Sequence, residues 1–233
     1  MSFADLPKFD ELKDPKRFWS AEKAHVAQVV KSEVRTGERV CVNWEMTRLE
    51  TPGFNRFRCE HEIVPIPNYE GIAWDDIWRF NPQASSQWDG FRHYSTDMGD
   101  GTRAWYGGTK TWESLTLDQK EEYRTQTQTQ KHRHSGLIQS EAVARFMWDY
   151  HIVAVAGDGV GVEVRPNRDD DWSMHHYCLA GWSVPIGEMF DLERLADLCK
   201  KLNRWTFFVT FQPTEPSARS SVAAKLHGAF LGR

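Results

Sequence analysis

The hydrophobic pattern along the chain marks three helices and four strands. After Ser20, the residues Ala24, Val26, Ala27, Val29 and Val30 recur at helical spacing to about Val34, and Gly37 ends the run. Ser140 is the expected N-cap of a second helix over 141–150. Asp191 is the expected cap of a third, with Leu192, Leu195, Ala196, Cys199 and Leu202 as its apolar stripe. Residues 39–44, 62–66, 152–156 and 205–211 read as strands, and Pro65 places the second of these at an edge or an end. Between them the chain is polar. Residues 81–94 read as a loop leading into a turn at Asp89-Gly90, and 98–110 as a glycine-rich loop. Helices alternating with buried strands predict an α/β domain.

Composition narrows the class. Aromatic residues make up 13% of the 233, with 11 Trp, which excludes a wholly disordered chain. The net charge is -4, from 29 basic and 33 acidic residues, and gives no electrostatic reason to expect a nucleic-acid partner. No run of about 18 apolar residues predicts a membrane span. The start of the chain is polar and acidic, without the apolar stretch of a secretory signal. Cys41, Cys59, Cys178 and Cys199 form no Cys-x-x-Cys pair and read as free thiols in a reducing compartment, which makes the cytoplasm the expected location.

Three groups of residues could carry chemistry. The first is Gln83, Gln87, Asp89 and His93; the second is Asp158 and Glu163; the third is His175-His176 followed by Glu188. Carboxylates and imidazoles brought together by a fold are the usual material of a divalent-metal site. A histidine beside such a site can take the proton of a metal-activated water. Each group also has a plainer reading: Asp89-Gly90 as a turn, Asp158 and Glu163 as the end of a strand, His175-His176 as a hydrogen-bonded structural pair. His132 and His134 lie in a polar tract with Lys131 and Arg133 and read as part of a solvated loop.

The phrase Ser85-Ser-Gln-Trp-Asp-Gly-Phe-Arg-His93 resembles a motif of the cyclase family that includes bacterial kynurenine formamidases and isatin hydrolases. Gly157-Asp158, His175 and Gly181-Trp-Ser-Val-Pro-Ile-Gly-Glu-Met-Phe-Asp-Leu-Glu193 follow in the family's order. The likeness is to the Ser-Gln-Trp-Asp-x-x-x-His branch, over residues 20 to 211. It implies a swivelling β/β/α, cyclase-like domain whose members hydrolyse amide, lactam or formamide bonds with a metal-activated water. Laid on the family motif, Asp89 takes the place of a metal ligand and His93 that of the catalytic histidine. His175 and Glu188 complete the metal site, with His176 as the other candidate for the histidine. The family's two earlier metal-binding histidines fall on Gln83 and Gln87. Gln87 is retained as a weak ligand, and an oxygen-rich set favours manganese over zinc.

The resemblance also implies a domain plan: an N-terminal arm over 1–18, a cyclase-like domain over 19–212 shortened near 108–135 and lacking part of its central strands, and a divergent tail over 213–233. Open sheet edges in such a domain favour dimerisation, and a homodimer is compatible with the family's habit. The expected activity is that of an arylformamidase-like hydrolase acting on a small molecule, with His93 as general base. Trp88 and Trp182 either stack an aromatic substrate or fill the core. Two alternatives are carried forward: a non-catalytic binding protein with a degraded site, and a metal-free cyclase or dehydratase of secondary metabolism with His93 as its acid and base.

Overall fold

A computed structural model of the chain describes residues 8–12, 33–54, 56–69, 71–108, 133–213, 221–222 and 224–231. Its strands, in chain order, are β1 (Arg39–Val40), β2 (Glu60–Pro65), β3 (Trp74–Arg79), β4 (Gln87–Asp89), β5 (Thr96–Asp97), β6 (Arg103–Ala104), β7 (Val155–Ala156), β8 (Ile186–Glu188), β9 (Phe207–Pro213), β10 (Ser221–Val222) and β11 (Ala224–Leu231). Two α-helices are described, α1 (Glu141–Asp149) and α2 (Glu193–Leu202), together with a π-helical segment, His176–Trp182. The expected helix after Ser20 lies almost wholly outside the described residues, as do His132 and most of the polar tract before it.

The sheet that matters for function has the order β10-β4-β8-β7. Antiparallel β4 and β8 pair Gln87 with Glu188 and Trp88 with Gly187. β7 lies parallel to β8. Side chains alternate across a strand. Gln87, Asp89 and Glu188 therefore share one face of this sheet, and Trp88 points to the other. A second sheet has the order β1-β11-β9, and β2-β3 and β5-β6 are two-stranded ribbons. The architecture is mixed α/β, as the pattern predicts.

Two apolar clusters flank the sheet. Phe9, Met147, Trp148, Met174, Leu179 and Ile186 lie in one, under α1 and the π-helical segment. Val42, Trp88, Phe190, Leu195 and Cys199 form the other, under α2. The part of the expected N-terminal arm that is described, 8–12, buries Phe9 and Leu12 in the first cluster. Arg145 fastens this segment to α1, meeting Asp10 at 2.5 Å and lying over the Phe9 ring at 4.6 Å.

Several expectations need correction. Ser140 does cap α1, accepting from the Val143 N–H at 3.4 Å. Asp191 does not cap α2: the cap position is Leu192, with no side-chain bond, and the Asp191 N–H donates instead to Val42 O at 2.8 Å. Residues 81–94 are not all loop, since they contain β4. The strand expected over 152–156 shrinks to β7, which is only partly covered. The segment read as a divergent tail supplies β10 and β11, which pair with β4, β9 and β1. All four cysteines are free, with Cys41 exposed and the others buried. Among the described residues no helix is long and apolar enough to cross a membrane.

Candidate metal centre

Local structure delivers each polar side chain of the site. Asn81 begins a single 3-10 turn, Pro82–Ala84, by accepting from the Gln83 N–H at 3.0 Å, and this turn holds Gln83 at the mouth of β4. Ser86 locks β4 to the end of β8: its hydroxyl donates to Met189 O at 2.5 Å and accepts from the Trp44 N–H at 2.8 Å. After Asp89 the chain turns, and the His93 N–H donates to Gly90 O at 2.7 Å. The turn brings the His93 imidazole back over the strand end, with Nε2 3.9 Å from Asp89 Oδ1. His175 enters from the start of the π-helical segment, an interruption that often accompanies functional sites.

Asp89, His93 and His175 each present a ligand atom, and all three atoms lie within 4.8 Å of one another. His175 Nε2 is 3.8 Å from Asp89 Oδ2 and 3.8 Å from Glu188 Oε1. Asp89 and Glu188 are 3% and 4% exposed. Asp89 Oδ2 is buried without a hydrogen-bond partner. An unpaired carboxylate oxygen removed from water is costly unless a cation or a donor meets it. Burial, and next the charge of Asp89, push the Glu188 carboxyl up to about 7, with His175 acting the other way. Asp89, His93 and His175, around a carboxylate oxygen with no hydrogen-bond partner, could hold a metal ion, and the donor set suits a divalent cation.

The two glutamines also face inward. Gln87, fully buried, donates from Nε2 to Gln83 Oε1 at 3.1 Å and to Glu188 Oε2 at 3.0 Å. Gln83 donates from its own Nε2 to Asp89 Oδ1. The amides thus engage one oxygen of each carboxylate and leave Asp89 Oδ2 and the Gln87 carbonyl without partners. The Glu188 Oε1 atom accepts from the Val162 N–H at 2.8 Å.

Glu163 sits behind His175. Its Oε1 accepts from His175 Nδ1, from the His175 N–H at 2.9 Å and from the Ser173 hydroxyl at 3.0 Å. Burial alone would raise this carboxyl, but the His175 hydrogen bond and charge outweigh it and hold it at about 2. Burial likewise opposes the charge on His175, and Glu163 reverses that and raises its pKa. With Nδ1–H donated to Glu163, Nε2 is the atom that faces Asp89 and Glu188. A carboxylate fixing a ligand histidine in this way is a recurrent feature of metal sites. His93 differs: burial, only partly offset by Asp89, lowers its pKa, so it is neutral at pH 7 and able to accept a proton.

The sequence-derived residues divide accordingly. Gln87, Asp89, His93, His175 and Glu188 are brought together. Of the histidine pair, His175 faces the carboxylates, while His176 lies against the Tyr94 ring at 5.0 Å. Trp88 and Trp182 are not brought to the group. Trp88 packs on Phe190 and Phe211 at 5.4 and 5.1 Å, and Trp182 packs on Trp148 and Tyr177 at 5.3 and 5.1 Å, so both fill the core. Asp158 is exposed.

Three contributors were not legible as such. Glu163 was a candidate carboxylate whose plainer reading was the end of a strand, and its role, orienting His175, was not foreseen. His134 read as part of a solvated loop, yet its Nε2 is buried and partnerless. Its ring lies over Gly161, where an added Cβ would come 2.7 Å from its Cε1 and 3.8 Å from Glu188 Oε1, so a side chain there would have to displace the imidazole. Arg56 donates to Gln83 O at 2.8 Å, and its charge adds to the lowering of His93 and opposes the rise of Glu188. Only the pairing of His134 with histidine 132 in an x-one spacing drew notice to it in the sequence.

No protein-family model matches the chain, and no curated protein matches it by sequence. Among solved structures it is similar to one described as the crystal structure of a novel cyclase, with a TM-score of 0.59 and 16% identity, over 95% of this chain and 97% of that one. At that identity the likeness shows the fold, which is cyclase-like.

Proposed function

We propose that the chain is a member of the cyclase family and a metal-dependent hydrolase of an amide, formamide or lactam C–N bond, similar to an arylformamidase. The observation that carries the reading is the buried convergence of Asp89, His93 and His175 around a carboxylate oxygen with no partner. Asp89 and His175 would hold a divalent cation, manganese or zinc, with Glu188 and the Gln87 carbonyl at the edge of the set. When bound, such a cation lowers the pKa of water and polarises a carbonyl oxygen.

The chain's own groups do the rest. His93 Nε2 accepts the proton of the attacking water, and the same atom returns it to the nitrogen that leaves. Asp89 Oδ1, 3.9 Å away, favours the imidazolium that exists between those two events. Glu163 keeps His175 in the tautomer with Nε2 facing the carboxylates. Substrate is a small molecule; its aromatic contacts cannot come from Trp88 or Trp182, which are spent in the core.

The test is turnover of N-formyl, lactam and lactone substrates by manganese- or zinc-loaded protein. His93→Ala is expected to lower kcat/KM by roughly 10²–10⁴ while metal content stays. Loss of metal together with activity would make His93 a ligand rather than the base, a second reading that its place in the convergent trio favours. A folded, metal-loaded protein that turns over none of these substrates would overturn the hydrolase reading and support a binding protein. Turnover without metal would point to a cyclase or dehydratase.

A further inference from the structure

The two glutamine amides have their orientations fixed by their partners. Gln83 Nε2 donates to Asp89 Oδ1, and Gln83 Oε1 accepts from Gln87 Nε2 at 3.1 Å. Gln87 Nε2 spends its other hydrogen on Glu188 Oε2 at 3.0 Å. Turning either amide over would set an oxygen against another acceptor. Gln87 Oε1 is therefore the amide atom left over, and it is buried without a hydrogen-bond partner on a side chain closed to solvent. A buried acceptor with nothing to accept from destabilises a fold and calls for a partner from outside the chain.

Asp89 Oδ2 shares that condition, but the two atoms suit different partners. Asp89 is a carboxylate, 3.8 Å from His175 Nε2 and part of the convergent trio, and suits a cation. Gln87 Oε1 is a neutral carbonyl, a weak ligand and a good acceptor for an N–H. A carbonyl oxygen has two lone pairs, so a place at the edge of the ligand set still leaves one for a donor. Gln87 and Asp89 lie two places apart on one face of β4, about 7 Å along the strand. That spacing suits a molecule whose carbonyl is held at the Asp89 end and whose adjoining nitrogen reaches towards Gln87.

Building on the hydrolase reading above, we infer that Gln87 Oε1 accepts a hydrogen bond from the N–H of the scissile amide. The substrate is then an amide, formamide or lactam that carries an N–H, and not an ester, a lactone or an N-alkylated amide. In the reaction, water forms the new C–O bond and the electron pair of the C–N bond leaves with nitrogen. That nitrogen takes from His93 the proton that His93 took from water, and the products are a carboxylic acid and an amine. As the nitrogen gains the proton, its N–H becomes a stronger donor, so the bond to Gln87 tightens towards the transition state and raises kcat. An analogue without the N–H leaves the buried acceptor unpaired, which is how such a site rejects an isostere.

Three probes test this on the full, manganese-loaded chain: formanilide, which has the N–H, and N-methylformanilide and phenyl formate, which lack it. With each rate divided by that of uncatalysed hydrolysis, the wild type should prefer formanilide to either of the others by at least about tenfold in kcat/KM. This arm needs no variant. In Gln87→Met, checked for folding by circular dichroism and for metal by elemental analysis, the ratio of formanilide to phenyl formate should fall at least about tenfold with metal retained. A wild type without the preference, or a variant that loses both activities equally, overturns the assignment and leaves the hydrolase reading standing. Loss of metal in Gln87→Met also overturns it, because Gln87 is then a ligand. If the wild type turns over none of the three, the hydrolase reading falls, and equilibrium dialysis of formanilide against N-methylformanilide decides the rest. Preferential binding of formanilide that Gln87→Met abolishes supports N–H recognition; equal or absent binding overturns it.

Discussion

Asp89 Oδ2 is a hydrogen-bond acceptor taken out of water and given nothing to accept from. Its neighbours are one imidazole at 3.8 Å and a second acid beyond it. Behind that imidazole, the Glu163–His175 pair is the most consequential polar contact outside the trio. Glu163→Ala leaves a buried imidazole without its carboxylate and is expected to cost about 3–5 kcal/mol, read by urea unfolding. The same pair gives a pH dependence with a definite sign. Glu163 is held at about 2, below its ordinary 4.5, so its contribution is complete above pH 4.5 and is lost as pH falls from there towards 2. His175, raised in pKa, stays protonated throughout that window and does not add to the change. Unfolding at about pH 5.5 and about pH 3, both below the ordinary 6.5 of His175, should therefore differ by less in Glu163→Gln than in the wild type. At this scale the sequence was partly legible. The residues of the Ser-Gln-Trp-Asp-x-x-x-His phrase converge because a strand and a tight turn fix them locally. The roles of Glu163 and His134 were hidden because their neighbours lie 12 and 27 residues away, where no local spacing announces them.

β4 explains why polarity misled the reading of 81–94. Its three residues are all buried, yet two of them are Gln87 and Asp89, and a strand whose inward face is polar has no apolar alternation to detect. Gln83 and Glu188 satisfy Asp89 Oδ1 and Gln87 Nε2, while Asp89 Oδ2 and Gln87 Oε1 stay without a hydrogen-bond partner. Elements with an apolar stripe and a cap were legible: Ser140 and α1 are as expected, and Ser140→Ala should lower stability by about 1 kcal/mol in urea unfolding. The stripe of α2 was also found, while its cap was not, since the Asp191 N–H is used to join Val42. The paired glutamines are a property of the β4 entry as a whole. Gln83→His with Gln87→His replaces two amide donors by imidazoles beside Asp89 and should tighten zinc binding at least about tenfold, measured by competition with a chelating dye. Unchanged affinity would mean that the 3-10 turn and β4 do not aim those positions at the cation.

At the scale of the molecule, a cyclase-like fold is reached with 16% identity to a solved example. The sheet topology depends on pairings that a linear pattern cannot show, above all β10 and β11, which return from the end of the chain to complete two sheets. The fold presents one face of β4 and β8 as a polar, buried wall, and buries the other with Trp88 and Phe190. It also leaves the β2-β3 ribbon almost wholly exposed. Everything about the proposed chemistry depends on that polar wall holding a cation. The direct measurement is metal content per chain, by elemental analysis of folded protein prepared without chelator and then incubated with manganese or zinc and desalted. The account predicts close to one ion or more per chain in the wild type and a large loss in Asp89→Asn, with both proteins folded. A folded wild-type chain that retains no metal, or an Asp89→Asn variant that retains as much, would contradict it.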